Sequence, residues 1–418
     1  MSTFARFAAV GLVVALGLAA VLLLTADRDG EPAAVPSASA SATGSSATPQ
    51  PTPIASVDAA EVFTEIEAQV LDLRGLEAPD IGPAEIIGRE QLAVELNKLL
   101  AEEWTDDELR RSNLTLRAMG LLSDDQDLRE LTERLLGDQV IGFYDPLEKR
   151  MVVVSDEGLD VTARITYAHE YTHALQDAAF DSFQVREELT DDDAILARQA
   201  LEEGDATAVM FQWALQHLDP GELAEVGAQP VPDMSGIPAW MVAQLLFPYE
   251  EGFRFVTALS TDGWEGVNDA YTEAPASTEQ VIHPDKYLGG EEPMRVEAPA
   301  LADIFGRGWR DLEPTTMGEA MIDIWLTELG ADDAAAAAAG WGGDRLTVAT
   351  GLDDAWVMAW RIAWDSPADA DEFAASYDPL EPPGEIASAL LRPSATETLV
   401  VHANADDVLA AAISRLQP

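Results

Sequence analysis

From Val161 to Phe180 the chain runs twenty residues without a proline or glycine, VTARITYAHEYTHALQDAAF. Charged residues make up 24% of the whole sequence, yet the immediate flanks of His169, Glu170 and His173 carry none. Ile165, Ala168, Thr172 and Leu175 recur at helical spacing, and Asp160 and Thr162 are candidate N-caps. The segment therefore reads as a buried helix. His169 and His173 are four residues apart, so a helix projects both imidazoles from one face about one turn apart. The competing reading is a half-exposed helix with two structural histidines. Only five histidines occur in the chain, and two fall here.

Two neutral imidazoles at this spacing can hold one zinc ion. Glu170, beside the first, is placed to take a proton from a water on the metal rather than to ligate it. The chain has no cysteine, which removes disulfides, thiolate metal sites and cysteine nucleophiles. Further ligands must then be histidines or carboxylates. Asp191, Asp192 and Asp193 are candidate caps for a second helix, Ala194 to about Leu218. Within it, Glu203 sits on the apolar stripe Leu196, Ala200, Thr207, Met210, where an unpaired carboxylate is costly. It is the preferred third ligand. Glu202 is the alternative, on a face with Arg198 where solvation suffices. Gly204 and Ala206 allow close approach to the His169 helix.

The remainder sets the context. Residues 1–27 form an N-terminal anchor or signal segment: Phe7 to Ala26 is uncharged and apolar, long enough to span a bilayer as a helix. An uncleaved anchor is favoured over a cleaved signal, and either exports the rest. Residues 28–56, rich in Pro, Ala, Ser and Thr, read as a linker. The first folded unit spans 57–290 and a smaller α+β region 291–418. In the first, Thr105 and Glu108 resemble a capping box. Gln139 to Val154 reads as a hairpin, and Pro275 to Pro284 as a loop. In the second, WVMAWRIAW and Leu399 to His402 are strand candidates, Ala334 to Ala339 a helix stopped by Gly340, and Ser366-Pro367 a helix start. The net charge of −52, from 76 acidic and 24 basic residues, repels phosphate backbones and argues against nucleic acid as a partner.

Hydrolysis through an oxyanion needs donors. His283 and Tyr287, in STEQVIHPDKY, are the candidates, with Tyr144 weaker. His217, near a helix end, and His402, ending a strand, have ordinary structural readings. The run Ile237 to Tyr249 is core or a wall of a cleft.

These segments carry a resemblance. An HExxH helix followed on a later helix by glutamate in an EGxA-like setting resembles the gluzincin metallopeptidases, the group of thermolysin. GFYDP, AHEYTHALQDAAF, ALEEGDATAVM and PASTEQVIHPDKYL are similar to a family of uncharacterised bacterial HExxH proteins, over roughly Asp138 to Leu288. The resemblance implies an α+β fold: a mainly helical zincin-like domain with a small sheet, plus the C-terminal unit. It implies His169, His173 and Glu203 as zinc ligands and Glu170 as base. It also implies an edge strand, Met151 to Ser155, that pairs with extended peptide. Thr207 departs from the thermolysin pattern, where an aspartate follows the third ligand by four; Asp205 is a candidate to orient a ligating imidazole instead. The expectation is a membrane-anchored, extracytoplasmic zinc endopeptidase acting on peptides or proteins. The alternatives are a zinc-binding surface protein without catalysis and an acidic structural ectodomain.

Overall fold

The structure, a computed structural model, describes residues 11–14 and 59–416, apart from 93, 96–97, 99–103, 156–158 and 228–233. Helix α1 (Ala59–Arg74) buries Phe63, Ile66 and Val70 at helical spacing. Helix α2 (Asp106–Met119) opens on the expected capping box, Thr105 with Glu108, and stops at Gly120 in the left-handed region, φ 82°. Helix α3 (Leu128–Gln139) leads straight into the hairpin of β3 (Val140–Asp145) and β4 (Arg150–Val154). These pair antiparallel with Gly142 opposite Val153. Strand β2 (Glu85–Ile87) adds to β4 in parallel, and β1 (Gly11–Val14) to β3 antiparallel, giving the order β1-β3-β4-β2.

That order corrects one expectation. Strand β4 has partners on both sides, so Met151 to Ser155 presents no free edge to a peptide. Of the segment 7–26 read as a membrane helix, only Gly11–Val14 are described, and they run extended along β3. The rest lies outside the described residues, as do residues 28–56 of the linker. Among the described residues no helix is long and apolar enough to cross a membrane.

Helix α4 (Val161–Phe180) lies on this sheet, with Ile165 and Ala168 packed among Tyr144, Met151 and Val153. Asp160 caps it, accepting from Ala163 N at 2.7 Å. Helix α5 (Asp192–His217) packs between α4 and α6 (Ala239–Leu259). The α5–α6 crossing is set by two glycines. A Cβ on Gly204 would strike the Gly252 carbonyl, and one on Gly252 would strike the Ala200 carbonyl. Backbone meets backbone there, which no other residue type permits.

The expected loop at Pro275 to Pro284 is instead helical. Ser277 caps α7 (Thr278–Ile282) through Gln280 N, and Pro284 opens a further turn, Pro284–Gly289. Proline marks a helix start here because its missing N–H is one the first turn leaves unpaired anyway.

Beyond, α8 (Gly318–Glu328) and α9 (Ala334–Ala338) precede an antiparallel sheet: β5 (Arg310–Asp311), β6 (Trp341–Thr350), β7 (Trp356–Trp364), β8 (Ala387–Ser394) and β9 (Glu397–Ala403), ordered β5-β6-β7-β9-β8. Helix α10 (Pro367–Tyr377) follows the Ser366 cap, and α11 (Asp406–Leu416) closes the chain. Strand β7 is apolar apart from Arg361 because both its faces are largely buried. Met358, Trp360 and Ile362 join a core with Leu116, Leu131, Trp240 and Trp325, while Val357 and Ala359 pack against Leu301 and Ala412. The fold is α+β, and its largest core draws on helices from both sides of residue 290.

Candidate metal centre

Helix α4 presents His169 and His173, both buried, toward the middle of α5. There Glu203 meets them. Its Oε2 lies 3.1 Å from His169 Nε2 and 3.4 Å from His173 Nε2, and the two imidazole nitrogens are 3.0 Å apart. Tetrahedral zinc with bonds of about 2.0–2.1 Å places ligand atoms roughly 3.3–3.4 Å from one another. The three donors converge at nearly that spacing, and among the described residues no Lys or Arg pairs with Glu203. The residues therefore fit a small divalent cation held by two nitrogens and one oxygen.

The electrostatics agree. Burial raises the cost of ionising Glu203, but the two imidazoles outweigh it and hold the carboxyl well below its usual range. Burial lowers the basicity of His169, partly offset by Glu203. At His173 burial is outweighed by Glu203, with Glu170 and Gln176 assisting, and the imidazole rises to about 9. Anionic and imidazole donors thus face one another in a buried site, a demand for positive charge that a cation meets.

The support around the ligands was not legible from motif spacing. Gln176 Oε1 lies 2.9 Å from His173 Nδ1. Its Nε2 donates to the Glu202 carbonyl at 2.9 Å and to Asp205 Oδ2 at 3.3 Å. Those acceptors fix the amide, so Oε1 faces the imidazole and Nδ1 carries the proton. Asp205 therefore reaches the His173 imidazole through Gln176 rather than directly. Arg74 of α1 grips Asp205 with two bonds, 2.8 and 3.1 Å, and Tyr271 donates to it at 2.9 Å. The available signal was position: Gln176 follows His173 by three, on the same helical face.

Glu202 does not join the His169–His173–Glu203 cluster, nor is it solvated. It is buried, and Arg198 Nε donates to it at 2.9 Å while Arg186 and Ser182 complete a closed ion cluster. Asp191, Asp192 and Asp193 do not cap α5 by side chain. They bind Arg345, Thr315 and Thr278, tying its N-terminus to later segments.

Glu170 is fully buried at the face of α4 toward β3. A Cβ on Gly142 would strike Thr166 Cγ2, so the glycine lets β3 lie close against α4. Tyr249 of α6 is a second residue the sequence reading did not single out: its ring stacks on His169, centroids 6.1 Å apart.

The candidate oxyanion donors make other contacts. His283 Nε2 pairs with Glu319 Oε1 at 3.0 Å. The Tyr287 hydroxyl donates to the Glu273 carbonyl at 2.8 Å, with its ring edge-on to Phe255. Tyr144 donates to Asp177 at 3.0 Å, toward the far end of α4. His217 ends α5, and His402 is buried between Tyr377 and the Ala118 carbonyl. A second acidic group, Glu279, Glu291 and Asp365, already encloses Lys286 Nζ at 2.6, 2.8 and 2.8 Å.

Residues 307–410, the C-terminal sheet and its helices, match a family described as a domain of unknown function (DUF8575). No curated protein and no solved structure matches the chain.

Proposed function

We propose that this protein is a zinc-dependent peptidase of the gluzincin type, with its catalytic unit exported and held at the membrane by the N-terminal segment. The observation that carries the reading is the convergence of His169, His173 and Glu203 at 3.0–3.4 Å with Glu170 one residue from the first ligand. His169, His173 and Glu203 would hold the ion. When bound, zinc supplies Lewis acidity that makes water a nucleophile near neutral pH.

The remaining work falls to the chain. Glu170, buried one residue from His169, takes the proton from the attacking water and returns it to the leaving amine. Gln176 keeps His173 in the tautomer whose Nε2 faces the ligand cluster. A peptide as the substrate class rests on the resemblance to the gluzincins, since β3, like β4, is paired on both sides.

The test is digestion of a peptide library with and without a chelator, together with Glu170→Gln. The variant should bind one equivalent of zinc and lose hydrolysis by at least about a hundredfold. Zinc binding with no cleavage by the unmodified chain would reduce the protein to a metal-binding module, and no stoichiometric zinc would end the reading altogether.

A further inference from the structure

Tyr249 is 4% exposed, yet among the described residues it belongs to none of the apolar clusters that build the core. Its ring lies instead against His169, with planes 27° and centroids 6.1 Å apart. That is the offset stacking that flat rings prefer. His173 meets the same imidazole edge-on, at 76° and 4.7 Å.

The helix crossing places Tyr249 there. It precedes Gly252 by three residues, so both share one face of α6. Gly252 touches the backbone of Gly204, the neighbour of Glu203. The face of α6 that meets α5 beside one candidate ligand thus carries an aromatic ring to another.

The two imidazoles are held in different ways. His173 Nδ1 bonds to Gln176 Oε1. His169 Nδ1 is buried and has no hydrogen-bond partner among the described residues. Such a bond ordinarily fixes the plane of a metal-binding imidazole. Without it, rotation about the Cβ–Cγ bond, a broad torsion in histidine, is limited by packing on the ring.

We propose that Tyr249 is a positioning residue for His169, its ring holding the imidazole plane so that Nε2 faces Glu203 and His173. It acts through the face of the ring and not through the hydroxyl. This role rests on the metal-binding half of the reading above and not on hydrolysis.

Tyr249→Phe keeps the ring and Tyr249→Leu removes it. In the full-length, metal-free chain labelled at histidine, the stack gives the His169 carbon-bound protons a ring-current shift readable by NMR. Tyr249→Leu should abolish that shift and Tyr249→Phe should keep it. His402, buried between Tyr377 and the Ala118 carbonyl, should move in neither. Zinc affinity, measured against a chromophoric chelator, should fall about three- to tenfold in Tyr249→Leu and stay within about twofold in Tyr249→Phe. Unchanged His169 signals and zinc affinity in Tyr249→Leu would overturn the assignment. So would equal losses in both variants, which would give the role to the hydroxyl, or movement of His402 with His169, which would mean general loosening. A parent chain without stoichiometric zinc would end the metal reading, while the metal-free signals would still decide whether Tyr249 fixes the imidazole. If Tyr249→Leu fails to fold, Tyr249→Met fills the space without a flat ring and decides by the same readouts.

Discussion

Replacing Gln176 by Leu probes the least visible part of the proposed metal centre. The side chain is nearly the same size, so packing is kept, but three hydrogen bonds go: one to His173 Nδ1 and two that hold the amide against Glu202 O and Asp205. His173 then loses the acceptor that fixes its tautomer and ring orientation. Residues that orient a metal-bound imidazole in this way are worth about 10–100-fold in metal affinity, or roughly 1.4–2.7 kcal/mol. The Asp205 carboxylate keeps Arg74 and Tyr271, so the loss is confined to His173 and the Glu202 carbonyl. Zinc affinity measured against a chromophoric chelator should fall by that factor while the far-ultraviolet dichroism stays unchanged. Gln176→Glu, which restores an acceptor for Nδ1, should recover part of the affinity. A Gln176→Leu protein that binds zinc within about threefold of the parent would refute the argument that this amide sets the ligand.

The Ala118 carbonyl can only accept, so His402 Nδ1 carries the proton and Nε2 accepts from the Tyr377 hydroxyl, both at 2.7 Å. Burial holds this imidazole down, from 6.5 to about 4. The unfolded chain therefore binds the proton first, and the contribution present above pH 6.5 is lost as pH falls toward 4. The loss amounts to about 2.5 kcal/mol by pH 4.5, and His402→Gln should lose correspondingly less stability than the parent between pH 7 and 4.5 in denaturant titrations. Arg74→Met strands the buried Asp205 carboxylate and should cost about 3–5 kcal/mol in the same assay; a loss under about 1 kcal/mol would show that Tyr271 and Gln176 suffice. Gly252→Ala forces α5 and α6 apart at the turn beside Glu203, and should cost about 1–3 kcal/mol and weaken zinc binding. Unchanged melting and zinc affinity would show that the crossing is slack.

Local spacing was enough to specify the elements that depend on near neighbours. The twenty-residue α4, the β3–β4 hairpin, the capping box at Thr105 and the Ser366-Pro367 helix start all follow from side chains within four residues of one another. So does the pairing of His169 with His173, because a helix fixes the geometry of i and i+4. That Glu203 rather than Glu202 faces the two histidines was also readable, since Glu203 lies on an apolar stripe. Glu202 is buried rather than solvated because, beside Arg198, it meets Arg186 and Ser182 from a separate helical turn. Only tertiary structure decided what sits around the ligands. Arg74 reaches Asp205 across 131 residues, and Glu319 takes His283 as its own partner. Strand β2 closes the edge that β4 was expected to offer. Such contacts depend on where helices cross and strands pair. Those positions are set by close packing over the whole chain, here by two glycines that let α5 and α6 touch, and no local pattern encodes them.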